Sequence, residues 1–282
     1  MVQVSMDKKK ICNAVEITLI LILCTITLIL DFVQISYLSD ELRNKLLSKL
    51  IQQTCGVLAT GLLLRRLGIR LFGKPQQLLY LIPCLIIAID NFQFYAYFSG
   101  KMELVHTEAV DFILFALYCL SVGLFEELIF RGIIFSVLAD RFSKDKKGLW
   151  RTFIVSSLIF GAAHLFNGFS MGTILQVGYT MLTGGLFAFT LMKTKNLFCC
   201  ALVHSVYNFC GLLFDSSERM GLGAGVVLDL GTALTMLVVC VSVGIFVLYS
   251  IKRYDKVEQT ELYKKLGVSM KEEDISEEKT EV

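Results

Sequence analysis

In the stretch GLFEELIFRG, residues 123–132, two adjacent glutamates and an arginine stand inside a run otherwise apolar enough to cross a bilayer. A charged side chain at the centre of a membrane helix costs about 2.5–3.5 kcal/mol, whereas each Leu, Ile, Phe or Val returns about 0.3–0.6 kcal/mol. Glu126, Glu127 and Arg131 together would offset most of the apolar gain of their own segment. On a helix, Glu127 and Arg131 are i, i+4 neighbours with the acid first, the arrangement that favours an ion pair. Glu126 is turned away by about 100° and is left without such a partner. Two adjacent carboxylates in unlike surroundings are what acid–base chemistry uses.

The chain has three histidines, and two of them also lie in apolar runs: His164 in LIFGAAHLF and His204 in CALVHSVYN. Phe160 and His164 share one helix face, and His204 and Asn208 share another. At ~1.5 Å per residue from the basic end of each run, Glu126, His164 and Asn208 all lie ~20 Å deep, with His204 at ~14 Å. Polar groups from three helices at one depth point to an intramembrane reaction centre rather than to isolated packing residues.

The elements that must position these groups follow from composition. The 282 residues are 55% hydrophobic and 18% charged with two prolines, and the mean hydropathy is +0.66. Apolar runs of about 18–22 residues recur, the length that crosses a ~30 Å hydrocarbon core. We expect an all-α membrane protein, a polytopic bundle of about eight transmembrane helices with a polar intramembrane cavity. The spans fall at roughly 14–35, 46–65, 77–98, 109–139, 152–167, 173–192, 196–214 and 230–250. Alternation of eight spans places five basic clusters on one side: Lys8–Lys10, Arg65 to Lys74, Arg141 to Arg151, Lys193 with Lys195, and Lys252 with Arg253. The positive-inside rule then makes both termini cytoplasmic.

The fourth span is too long, since about thirty residues make ~45 Å of helix, and Gly123 is the expected weak point. Beyond Arg253 a charged tail is expected to bury no core and to form a short amphipathic helix plus disorder. A net charge of +2 without a basic domain gives no reason to expect a nucleic-acid partner. The nine cysteines form no C-x-x-C pair beside histidines. Cys199 and Cys200 stand near a span end, where acylation can occur.

Glu126-Glu127-x-x-x-Arg131, Phe160-x-x-x-His164 and His204-x-x-x-Asn208, in that order on separate spans, resemble the CAAX protease and bacteriocin-processing family, also called the CAAX-protease/self-immunity family. The stretch GYTMLTGGLFAFTLMKTKNL also looks like that family's segment before its last motif. The resemblance covers roughly residues 110–215. It divides the chain into N-terminal transmembrane helices (1–109), a protease core (110–215), a last transmembrane helix (216–251) and a charged cytoplasmic tail (252–282).

The resemblance implies an intramembrane endopeptidase. Glu126 would activate a water with help from His164. His204 and Asn208 would stabilise the oxyanion as neutral donors, and Glu127 with Arg131 would orient Glu126. The substrate would be a membrane-delivered peptide or protein, in peptide maturation or bacteriocin self-immunity at a bacterial cell membrane. The alternative is an inactive immunity or interaction protein of the same family. Glu126, His164 and His204 have the ligand composition of some catalytic zinc sites, so a divalent metal such as Zn2+ would fall on them if one is bound, although no H-E-x-x-H is present.

Two other patterns compete. Gly168-Phe-Ser170-Met-Gly172 fits G-x-S-x-G but lacks the strand-turn-helix setting of a nucleophile elbow, so we read it as a turn. Asp90, Asn91 and Gln93 form a second polar patch in the third span, which we read as packing or cavity lining.

Overall fold

The computed structural model describes residues 40–100, 108–167, 171–213 and 230–268, with Thr18, Leu19, Ile22, Thr25 and Ile26 as isolated positions. Everything placed in it is helix or short connection. Helix α1 spans Glu41–Arg66, α2 Leu81–Asp90, α3 Phe94–Phe98 and α4 Ala109–Glu127; a π-helical turn, Leu128–Ile134, leads into α5 at Phe135–Arg141. Then come α6 at Lys146–Ala163, α7 at Met171–Thr194, α8 at Leu197–Leu212, α9 at Leu230–Lys252 and α10 at Lys256–Lys265.

Polar side chains mark the starts. Asp40, Asp145, Asn196 and Asp255 accept from the backbone N–H three residues on, at the heads of α1, α6, α8 and α10. Each satisfies a donor that the first turn of a helix leaves unpaired. At the head of α4, Glu108 and Asp111 form a reciprocal capping box. Helix α1 stops where Gly68 takes φ +74°, letting the Ile69 N–H reach back to the Leu64 carbonyl at 3.0 Å.

Helix α4 lies between α1 and α8, α6 runs along α7, and α2 packs on α8. Helices α4 and α8 approach closely at Gly123, where a Cβ would stand 2.5 Å from Ser205 Oγ and 2.9 Å from the Ala201 carbonyl. Small residues let membrane helices meet backbone to backbone. Gly123 is therefore a contact point and not the weak point expected. Helix α4 passes through it unbroken, and the irregularity begins five residues later, at Leu128. There the Phe135 N–H bonds to the Phe130 carbonyl, five residues back. π-turns of this kind are frequent at functional sites.

Among the described residues, four helices are long and apolar enough to cross a membrane: Leu42–Arg66, Ala109–Arg141, Lys146–Phe166 and Leu230–Lys252. That is fewer than the eight expected. The run at 77–98 is broken because Gln93 adopts the left-handed conformation at φ +54°, leaving α2 and α3 as separate pieces. The run at 196–214 yields a helix of 16 residues, the run at 173–192 lies within α7, and the run at 14–35 falls outside the described residues apart from the isolated positions. The result is an all-α, multi-spanning membrane architecture.

Four of the five basic clusters gather at one end of this bundle. The Arg70 N–H meets the Lys265 carbonyl at 2.8 Å, Lys195 meets Glu261 at 3.0 Å, and Lys146 reaches the Lys252 carbonyl at 2.5 Å. Lys8–Lys10 lie outside the described residues. At the other end Arg43 ties α1 to α4 through Asp111 at 2.6 Å and Glu108 at 2.5 Å. The short helix expected in the charged tail is present as α10, but it departs from expectation in its burial: Leu262 and Tyr263, with Leu266 just past it, are buried and join the core. Composition hid this, since Glu258 and Glu261 pair with Lys193 in the last turn of α7 and Lys195 just past it.

Candidate active site

Glu126 and Glu127 end α4, Arg131 sits in the π-turn, and Phe160 and His164 close α6. Gly184 and Phe187 lie in mid-α7, and His204 and Asn208 in α8. Arg131 is the best-held of these. Its Nη1 donates to Glu127 Oε1 at 2.9 Å and its Nη2 to the Gly184 carbonyl at 2.8 Å. Its guanidinium also lies 4.3 Å from the Phe160 ring centre and 5.1 Å from that of Phe187. Both side chains of the Glu127–Arg131 pair are 1% exposed. A planar, weakly hydrated cation with several donors suits such a place better than an ammonium would. The i, i+4 pairing expected from sequence is present.

Glu127 has a second partner that spacing could not show. His204 Nδ1 lies 2.8 Å from Glu127 Oε1, so one carboxylate oxygen receives both the arginine and the histidine. Its other oxygen, Oε2, is buried without a hydrogen-bond partner. The His204 ring is fixed in plane as well, stacked on Phe187 at 4.6 Å and 17° and edge-on to Phe160 at 5.7 Å.

On its far side, His204 Nε2 stands 3.8 Å from Glu126 Oε2. Glu126 is 29% exposed, in contrast to its neighbour. Among the described residues Glu126 has no ion-pair partner on its own helix, in line with the spacing, and the His204 ring from α8 is the titratable group set beside it.

His164 is the first residue past α6. Its backbone N–H turns to Gly161 and Ala162, and its ring Nδ1 meets the Phe160 carbonyl at 3.0 Å. A carbonyl only accepts, so Nδ1 carries a proton, and in the neutral ring that leaves Nε2 as the acceptor. Phe160 touches the His164 ring edge-on at 5.2 Å. One phenylalanine thus contacts Arg131, His164 and His204. Asn208 lies one turn past His204, half-buried; among the described residues no hydrogen bond ties it to the other site groups.

Among the described residues no three His, Cys, Asp or Glu side chains are placed to hold a metal ion. Glu126, His164 and His204, the set a divalent metal would have needed, are not gathered at one point. Ser170 lies outside the described residues. Cys199 and Cys200 are buried, so neither is presented for acylation.

Sequence reasoning gave Phe187, Phe130 and Gly184 no role. Phe187 and Gly184 fall in the GGLFAF run, whose paired glycines beside aromatics were the available signal. Phe130 meets the Phe160 ring edge-on at 4.9 Å.

With this geometry in view, the comparison with known families is specific. Residues 108–210 match the type II CAAX prenyl endopeptidase Rce1-like family. The match takes in α4, the π-turn, α5, α6, α7 and nearly all of α8, hence every site residue named above, and leaves α1–α3, α9 and α10 outside it. No curated protein and no solved structure matches the chain.

Proposed function

We propose that the chain is an intramembrane endopeptidase whose nucleophile is a water activated by Glu126. The observation that carries this reading is the asymmetry of the two adjacent carboxylates. Glu127 is sealed between Arg131 and His204, while Glu126 remains partly open and borders the same histidine. The partial exposure of Glu126, His164 and Asn208 supports a polar cavity opening at these groups.

In the first step the water gives a proton to Glu126 and its oxygen bonds to the peptide carbonyl carbon, leaving a tetrahedral oxyanion. The His164 Nε2 accepts the water's other hydrogen and aims its lone pair. His204 and Asn208 flank the oxyanion. The Glu127 bond alters how His204 does this. A carboxylate accepts only, so Nδ1 carries a proton, and a neutral ring would then present a lone pair at Nε2. In the proposed step a doubly protonated His204 donates from Nε2 to the oxyanion, with Glu127 on one side and the oxyanion on the other balancing its charge while Glu126 holds the proton taken from the water. Glu127 thus orients and stabilises an imidazolium, as the buried aspartate does in serine-protease triads. In the second step the intermediate collapses, the C–N bond breaks, and Glu126 returns its proton to the leaving amine.

By the matched family, the substrate class is a membrane-delivered peptide or protein, with a prenylated C-a-a-X end as the first to try. The basic end of the bundle, carrying four lysine and arginine clusters, is assigned to the cytoplasmic side. The test is cleavage by purified protein in lipid nanodiscs, offered prenylated and unprenylated C-a-a-X peptides and an unrelated hydrophobic peptide. Cleavage that disappears with Glu126→Gln supports the reading. Cleavage that survives it refutes the role of Glu126.

A further inference from the structure

The C-terminal helix α10 lies outside the family match, yet it holds the turn from which the His204 helix departs. Only Lys195 and Asn196 separate α7 from α8. Lys195 adopts the left-handed conformation at φ +49° and is 1% exposed, an unfavourable backbone state for a residue with a Cβ that persists only where its surroundings impose it. Those surroundings come from α10 and the loop after α1. Lys195 Nζ donates to Glu261 at 3.0 Å and to Gln76 Oε1 at 2.6 Å, and Gln76 in turn donates to Glu261. Two residues earlier, Lys193 meets both carboxylate oxygens of Glu258 at 3.1 Å and lies over the rings of Tyr80 and Tyr254. Tyr254 donates to the Met192 carbonyl at 2.8 Å.

The other half of the turn is fixed as firmly. Asn196 caps α8 and donates to the Gly73 carbonyl at 2.5 Å, while the Leu197 N–H meets the Leu71 carbonyl at 2.9 Å. From Asn196, eight residues of helix, ~12 Å, lead to His204. A two-residue connection has no slack to absorb a shift, so a movement of the turn travels along α8 as a rigid rod. The 2.8 Å bond between His204 and Glu127 tolerates little of it.

We propose that α10 is a clasp: Glu258 and Glu261, acting through Lys193 and Lys195, set the height and rotation of α8 and thereby the placement of His204. They are positioning residues, and the device makes the site answerable to whatever releases α10. The clasp itself does not require peptidase chemistry; only its effect on turnover rests on the function proposed above.

The test uses the full chain in nanodiscs, comparing wild type with Glu258→Ala/Glu261→Ala, the milder Glu261→Gln, Glu261→Lys, and the charge swap Lys195→Glu/Glu261→Lys. The clasp predicts amide exchange across residues 197–204 about tenfold faster in the double alanine variant, faster in the same direction with Glu261→Gln, and unchanged across residues 112–123. The ¹⁵N signal of His204 Nδ1 should shift as its bond to Glu127 lengthens. The swap should restore exchange toward wild type relative to Glu261→Lys. Where wild type cleaves peptide, kcat should fall about tenfold with KM unchanged. Faster exchange within α10 alone, with residues 197–204 and the His204 signal unmoved, would overturn the clasp. Should wild type cleave nothing, the exchange and ¹⁵N readouts still decide the clasp, and the failure belongs to the peptidase reading.

Discussion

Replacing Arg131 by alanine isolates the energetics of the site from its chemistry. The guanidinium donates to Glu127 at 2.9 Å and to the Gly184 carbonyl at 2.8 Å, and rests 4.3 Å from the Phe160 ring centre. Its loss leaves a carboxylate that is 1% exposed facing a single histidine. Stripping one partner from a buried pair costs about 3–5 kcal/mol, because the remaining charge stays desolvated. The aromatic contact is part of the same side chain and is not added separately. Taking roughly 4 kcal/mol, and ~2–4 °C per kcal/mol for a chain of this size, the melting midpoint should fall by about 8–16 °C. Thermal unfolding of purified protein in detergent, followed by fluorescence of the single tryptophan, Trp150, measures it. The companion is Glu127→Leu/Arg131→Met, which removes both charges and should be less destabilised than Arg131→Ala alone. A midpoint for Arg131→Ala within ~2 °C of wild type, or a double variant worse than the single, would refute a buried charge network as the stabilising element.

Three further outcomes follow from neighbouring contacts. Phe187→Ala removes the face on which His204 stacks and should cost about 3–5 kcal/mol by thermal unfolding, with kcat in a peptide assay falling more than KM changes. Gly123→Val forces a side chain into the Ala201 carbonyl and Ser205 of α8 and should destabilise by several kcal/mol, about as much as severe overpacking does; crosslinking between cysteines placed on α4 and α8 would show the separation. The Ser143 hydroxyl and then the Gly148 N–H hold the Asp145 carboxyl below its ordinary range. Its contribution is therefore present above the unfolded value of about 3.9 and is lost as pH falls through that region. Asp145→Ala should cost ~1 kcal/mol at pH 7 and flatten the acid dependence of the Trp150 signal below pH ~4.

The polar groups within the apolar runs were more legible in the sequence than the architecture that holds them. Charges within apolar runs are rare enough to select Glu126, Glu127, Arg131, His164 and His204 on cost alone, and i, i+4 spacing was sufficient to pair Glu127 with Arg131. Spacing within one helix says nothing of rotation between helices, so the Glu127–His204 bond and the shared Phe160 contact were invisible. Hydropathy located the apolar runs but could not see that Gln93 would turn left-handed and split the third, nor that the irregularity after α4 would fall at a π-turn instead of at Gly123. A glycine reads as a weak point until its neighbour is known, and here α8 lies against it. Helix α10 was misread for the opposite reason. Its acids look solvated in sequence, and they are instead the partners of Lys193 and Lys195.

The deciding measurement is single-turnover cleavage of a nanodisc-embedded peptide in H₂¹⁸O by wild type and by Glu126→Gln, with the His204 ¹⁵N signal confirming that the Glu127 bond is intact in both. Attack by a Glu126-activated water places one ¹⁸O in the new carboxylate for wild type and makes the variant slower by at least about 10³-fold, with unchanged folding. A Glu126→Gln protein that cleaves at the wild-type rate would contradict this role of Glu126.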